Sequence, residues 1–261
     1  MTITAESQAP LLVIVSPKGG NGKTTIAVNM AIALARHFPT ILVDLDIHFG
    51  DVEYAMRLHP VHRLDKVIEK YLENPVLDLE VLLAQHPSGV SVLCSPNSPV
   101  IADGVNVDRC FEVIDKLRAL GRPMVIDTAA GINEFTIGAI ERATHTILVS
   151  GTDVASVHAG RKLLDTLSQI AMDTSDVRLV INRSTLRTGL TVADVEAVLG
   201  MKAVFELPDH ASIASATNDG SPITESSVSS PISQLFFDFT SQILGVPPVP
   251  KRKFWLLRGR T

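Results

Sequence analysis

Short apolar runs recur along the chain at Leu11–Val15, 40–44, 90–94, 123–127, 146–150, 177–181 and 203–206. Several are uninterrupted, which is the pattern of strands covered on both faces. Stretches with helical spacing separate them, near 22–37, 106–120, 133–142, 154–171, 191–199 and 231–244. Residues 58–88 read as short helices inserted between the second and third strands. Alternation of this kind predicts an α/β fold with a doubly wound, mostly parallel sheet flanked by helices. Right-handed crossovers then put a ligand at the carboxyl ends of the strands. The domain is expected to run over 11–244, after a disordered N-terminus at 1–10 and before a Pro-rich linker and tail at 245–261.

Composition narrows the class. The chain has 261 residues and is 46% hydrophobic, enough for one sizeable core. No apolar run approaches the ~20 residues that span a bilayer, and the first ten residues carry no basic group, unlike a signal peptide. The two cysteines, Cys94 and Cys110, fit neither a zinc site nor a disulfide framework. A cytoplasmic protein is the expectation. Net charge is −5, but 251–261 holds Lys251, Arg252, Lys253, Arg258 and Arg260 with no acid, leaving 18 basic against 28 acidic residues in the rest. So acidic a body is a poor partner for DNA, although Arg178, Arg183 and Arg187 form a candidate local patch.

The first strand runs into Ser16-Pro17-Lys18-Gly19-Gly20-Asn21-Gly22-Lys23-Thr24-Thr25, and a helix leaves it. Strand, glycine-rich loop and helix are the context of a phosphate-binding loop. Glycines let backbone N–H groups curl around a phosphate, and the first helical turn adds unpaired N–H groups and a positive dipole end. Lys23 is expected to reach the β- and γ-phosphates and the Thr24 hydroxyl to ligate Mg²⁺. The second strand delivers Asp44 and Asp46 beside this loop. Side-chain alternation points both the same way, one towards the Mg²⁺ and one towards the attacking water. The run Met124-Val125-Ile126-Asp127 adds a strand-end carboxylate for the metal, and Gly131 is expected to bring backbone to the γ-phosphate.

Position 17 is Pro where the ordinary loop pattern has Gly, and Lys18 precedes the glycines. Lys18 through Thr25 resembles the deviant phosphate loop of the MinD/ParA superfamily. The resemblance implies a P-loop NTPase fold of the SIMIBI type, ATP and Mg²⁺ as cofactors, and a homodimer that forms on ATP binding. It implies that Lys18 reaches across that dimer to the partner's nucleotide and that Asp46 orients or activates the water. The catalytic set is then Lys18, Lys23 and Asp46, and the metal set is Thr24, Asp44 and Asp127. The nucleotide set is Gly19, Gly20, Asn21, Gly22, Lys23, Thr24, Thr25, Gly131, Asn182, Arg183, Pro208 and Asp209. Asn182 is expected to hydrogen-bond adenine, with Pro208 and Asp209 as the second wall.

The segments Asp44-Leu45-Asp46-Ile47-His48-Phe49-Gly50-Asp51-Val52 and 189–200 resemble the CpaE/TadZ branch, ATPases that place and assemble Tad-type pili. Family members there usually carry a receiver-like domain ahead of the ATPase, and ten residues stand there in this chain. The tail, 251–260, sets basic residues around Phe254-Trp255-Leu256-Leu257, similar in composition to MinD's membrane-binding helix. It is expected to meet an anionic membrane surface and to make the protein peripheral on the inner face of the cell membrane. Pilus or other polar machinery proteins are the expected partners. Division-site or flagellar-site placement and ParA-like DNA partitioning stand as alternative outputs, and a scaffold that binds nucleotide without hydrolysis as a third class.

Overall fold

A computed structural model describes residues 9–186 and 189–245. Strand β1 (Leu11–Val15) feeds the glycine-rich loop and helix α1 (Lys23–Ala35). Then come β2 (Thr40–Leu45), α2 (Val52–Ala55), α3 (Leu64–Glu73), a 3₁₀ turn at Leu79–Leu82, β3 (Ala84–Gln85) and β4 (Val90–Leu93). They are followed by α4 (Pro99–Ala102), α5 (Val107–Arg118), β5 (Met124–Thr128), α6 (Glu134–Arg142), β6 (His145–Ser150), α7 (Val154–Gln169) and β7 (Val177–Asn182). The chain closes with α8 (Val192–Leu199), β8 (Ala203–Leu207), α9 (Ala211–Asn218), α10 (Ile223–Ser226) and α11 (Pro231–Leu244).

The eight strands lie in the order β3-β4-β2-β5-β1-β6-β7-β8. All pairings are parallel except the two-residue β3, which runs against β4. The expected doubly wound, mostly parallel sheet is therefore what forms. The antiparallel β3 was not expected, because two residues carry no readable alternation. Short α2, α4, α9 and α10 also escaped the periodic pattern, being about one or two turns long.

The uninterrupted apolar strands follow from burial on both faces. Leu11, Val13 and Val15 of β1 join a core with α3, α5, α6, α7 and α8, while Leu12 and Ile14 join the opposite core with α1 and α11. Helix α1 is buried almost all round, from Ile26 to Leu34, because α11 packs over its outer side. That explains a helix with no polar stripe. Its one amide, Asn29, is satisfied: Oδ1 accepts from Thr224 N (3.0 Å) and Oγ1 (2.9 Å), and Nδ2 donates to Thr25 O (2.8 Å). In α11, Phe236, Phe237 and Phe239 are buried, and Phe239 stacks on Phe205 with centroids 4.5 Å apart. Burial of each such ring contributes about 1.5–3 kcal/mol, so α1 sits in a rigid bed. The glycine-rich loop at its head lies at the switch point, with β5 and β6 on either side of β1.

Among the described residues no helix is long and apolar enough to cross a membrane. Cys94 and Cys110 are buried and unbridged, and burial pushes both thiols up to about 12, so neither is a reactive thiolate.

Candidate functional site

Strand parity builds the phosphate side. Asp44 shares a face with Leu42, and Asp127 with Val125, and both faces lie under α1. The two aspartates are register partners on adjacent strands. Helix α1 begins at Gly22 in a left-handed conformation (φ 87°), with no side chain capping its first turn. Its N-terminal N–H groups are thus left for an anion. Gly22 is required twice over, since a Cβ there would also overlap the Asn182 amide.

The Thr24 hydroxyl donates to Asp127 Oδ2 at 2.6 Å. Asp127 Oδ1 is buried with no hydrogen-bond partner, and the Lys23 side chain is buried nearby. Burial pushes the Asp127 carboxyl up to about 7 against the opposing pull of the Thr24 bond and the Lys23 charge. Burial, then the Asp127 charge, raises Asp44 well above the carboxylate range. An orphaned carboxylate oxygen, a hydroxyl and a second acid within the same buried cluster fit a hard cation. Among the described residues no group of three or more His, Cys, Asp or Glu forms a metal cage. Mg²⁺ keeps waters and phosphate oxygens as most of its ligands, so few protein oxygens need hold it.

Strand β2 stops at Leu45, and the chain turns there, so that Asp46 N donates to Asp44 Oδ1 (3.1 Å). Asp44 Oδ2 accepts from Val52 N (3.3 Å) and Ser95 Oγ (3.3 Å). Asp44 is thus the anchor of the 46–52 loop, and the Asp46 charge lies near enough to help raise both Asp44 and Asp127. Gly50 passes so close that a Cβ would overlap both Asp44 and Ser95, which explains the Phe49-Gly50-Asp51 segment. Asp46 is half-buried on that loop and accepts from Phe49 N at 3.3 Å. His48 bonds Asp103 at 2.9 Å, joining the loop to the end of α4.

Lys18 does not stand free at the loop. Its Nζ bonds Asp153 Oδ1 at 2.8 Å, in the same chain. Asn21 is buried, donating to Ser16 Oγ (2.9 Å) and accepting from Ser156 Oγ (3.0 Å). Gly131 has φ 92°, but its N–H is donated to Ser16 O at 3.3 Å. Backbone at 131 reaches a phosphate only by giving up that bond. The parts played by Asp153 and Ser156 were not legible beforehand. Asp153 is the N-cap of α7, and its second partner, 135 residues away, leaves no local signal.

The base side is a cavity of about 250 Å³ lined by Gly22, Thr25, Asn182, Arg183, Pro208 and Asp209, with Leu186, His210 and the α9 residues Ile213, Ala214, Thr217 and Asn218. Asn182, Arg183, Pro208 and Asp209 are brought together as expected; the α9 wall was missed because its small residues carry little pattern. The Asn182 Nδ2 donates to Asn21 O (2.8 Å) and its Oδ1 accepts from Arg183 N (2.9 Å). One N–H and one oxygen lone pair remain for a base. Arg183 holds a left-handed backbone (φ 54°), a costly conformation for a residue with a side chain, and lies 4.0 Å from Asp209.

Of the candidate DNA patch, the two described arginines do not come together. Arg178 and Arg183 stand at opposite ends of β7, about 16 Å apart along the strand. Arg178 pairs with Asp176 at 3.2 Å. Arg187 lies outside the described residues, as do the tail residues 251–260 on which membrane contact was expected and most of the 1–10 lead.

The family described as the CobQ/CobB/MinD/ParA nucleotide binding domain matches residues 12–223. An uncharacterised ATP-binding protein of Methanocaldococcus jannaschii is 27% identical over 238 residues, covering 90% of this chain and 87% of that protein. Among solved structures, a ParA family ATPase from Chlorobium tepidum has a TM-score of 0.82 at 19% identity, covering 90% of this chain and 98% of its own. The septum site-determining protein MinD of Pyrococcus horikoshii, solved with Mg-ADP, has a TM-score of 0.78 at 20% identity, with 90% and 96% covered.

Proposed function

The chain belongs to the CobQ/CobB/MinD/ParA nucleotide-binding family, and from that premise we propose that it is a Mg²⁺-dependent ATPase switch that pairs with a second copy when ATP is bound. The observation that carries this is the Thr24–Asp127 contact of 2.6 Å, with an unpartnered Asp127 oxygen and a buried Lys23 beside it. Such a cluster is poised for a cation and the phosphates it neutralises.

Phosphoryl transfer needs positioning and charge neutralisation more than covalent chemistry. Lys23 and the N–H groups of the loop and first helical turn hold the β- and γ-phosphates. Thr24 and Asp127 hold the Mg²⁺, which supplies charge neutralisation on the phosphate oxygens when bound. Asp46 orients the attacking water, and Asp44 serves by fixing the loop that carries it. Lys18 acts on the nucleotide of the second copy once it leaves Asp153. Thr25, Asn182, Arg183, Pro208 and Asp209 enclose the base.

The output we favour is placement of a membrane-associated machine, with Tad-type pilus assembly suggested by the 44–52 and 189–200 segments. The composition of 251–260 supports membrane attachment. Division-site placement is the second reading, favoured by the fold shared with the Pyrococcus horikoshii MinD. Phosphate release tests the chemical core: hydrolysis is expected with Mg²⁺ and ATP and is expected to vanish with EDTA. Release at an undiminished rate in EDTA would refute the Thr24–Asp127 assignment.

A further inference from the structure

Lys18 and Asp153 sit on the crests that follow adjacent strands β1 and β6, and they form the only ion pair described for the glycine-rich loop. The pair is built into its surroundings. Asp153 Oδ1 also accepts from Ser156 N (3.0 Å), which caps α7, and Oδ2 accepts from Ser156 Oγ (2.5 Å). That hydroxyl has one proton and a second acceptor, Asn21 Oδ1, at 3.0 Å. Asn21 in turn holds Ser16, and its backbone oxygen takes the Asn182 amide. One carboxylate therefore touches the lysine, the helix and, through Ser156, the middle of the phosphate loop.

We propose that Asp153 is the positioning residue for Lys18, holding the lysine against its own chain so that the strength of this hold sets how much ATP is needed to bring two copies together. The inference rests on the pairing reading given above. Lys18 cannot bond Asp153 and also lie on a phosphate of the second copy, so pairing must break or share the contact. Despite burial, the Lys18 and Ser156 bonds hold the Asp153 carboxyl down at about 2, so it stays ionised near neutral pH. Proton uptake does not release the lysine there; a competing anion does. The side chains are 41% and 31% exposed, respectively, which keeps the contact weak enough to be exchanged.

Asp153→Asn isolates the charge, because Asn caps a helix as well as Asp does. The test is sedimentation velocity during titration with Mg²⁺ and a non-hydrolysable ATP analogue, comparing wild type, Asp153→Asn and Lys18→Ala. Losing a half-exposed ion pair is expected to lower the half-point for dimer formation about 2- to 5-fold in Asp153→Asn. The gap is expected to close as NaCl rises from about 0.05 M to about 0.5 M, since salt screens such pairs; a change in packing alone would not respond to salt. Asp153→Ser keeps the cap and is expected to shift the half-point the same way, guarding against a folding defect peculiar to one variant. A half-point that is unchanged or raised in both variants, while wild type pairs, overturns the role of Asp153. A wild type that never pairs overturns the pairing reading and this inference with it.

Discussion

On the phosphate side of the cleft, between β1, β2 and β5, the acids are enclosed before any ligand arrives. Asp44 and Asp127 are buried, held away from water and short of counter-charge. On the base side, between β7 and β8, Arg183 and Asp209 are exposed, 4.0 Å apart, around an open cavity. The difference follows from position in the sheet. Strands β5 and β1 are central and covered on both faces, so their carboxyl ends carry a precise and strained electrostatic arrangement. Strand β8 is an edge, and the loops beyond it have room to adjust. In the proposed reading, chemistry sits where the sheet is covered on both faces, and the base sits at its open edge.

That contrast breaks most sharply at Asp127. Asp127→Asn is expected to cut hydrolysis about 10²- to 10³-fold, the scale of losing one preorganised charged group. In the nucleotide-free protein the same change is expected to remove a pH dependence. Burial pushes the folded carboxyl up to about 7, against an ordinary value of 3.8. Its raised value means that stability is full at low pH and is lost as pH rises through about 7. Thermal melts of the wild type are therefore expected to fall from pH 5 to pH 8 by an amount on the order of a few kcal/mol, and melts of Asp127→Asn to fall less. Equal slopes would contradict the picture of an uncompensated buried acid.

Gly50→Ala comes next. Its Cβ would overlap Asp44 and Ser95, so about 1–3 kcal/mol of stability should go, and hydrolysis should fall about 10-fold through the displaced 46–52 loop, a shift near the cost of 1.4 kcal/mol. Urea unfolding and turnover measured together check it; a variant that turns over normally would show that the loop does not position Asp46. The smallest effect belongs to the soft side. Asp209→Ala, which removes an exposed partner of Arg183, should weaken ATP binding only about 2- to 5-fold with turnover unchanged. A loss as large as that of Asp127→Asn would erase the distinction between the two sides.

The sheet was legible because its strands other than β3 are mostly apolar, several of them unbroken, and the strand-loop-helix order at 11–35 was legible because it is local in sequence. Thr24, Asp127 and Gly22 fell where spacing placed them. Three features were not. The anchoring of the 46–52 loop on Asp44 depends on where β2 stops. The bonding of Asn182 depends on Asn21, 161 positions earlier. The Lys18–Asp153 contact depends on β1 and β6 being neighbours, a fact of topology that no local window holds.

Asp46 carries the claim that this is a hydrolytic switch, since it separates holding ATP from spending it. The most direct measurement is sedimentation velocity of Asp46→Ala with Mg²⁺ and ATP, beside a phosphate-release assay. A stable dimer that binds ATP and releases phosphate about 10²-fold more slowly than wild type is expected. A monomer in ATP, or phosphate release at the wild-type rate, would contradict it.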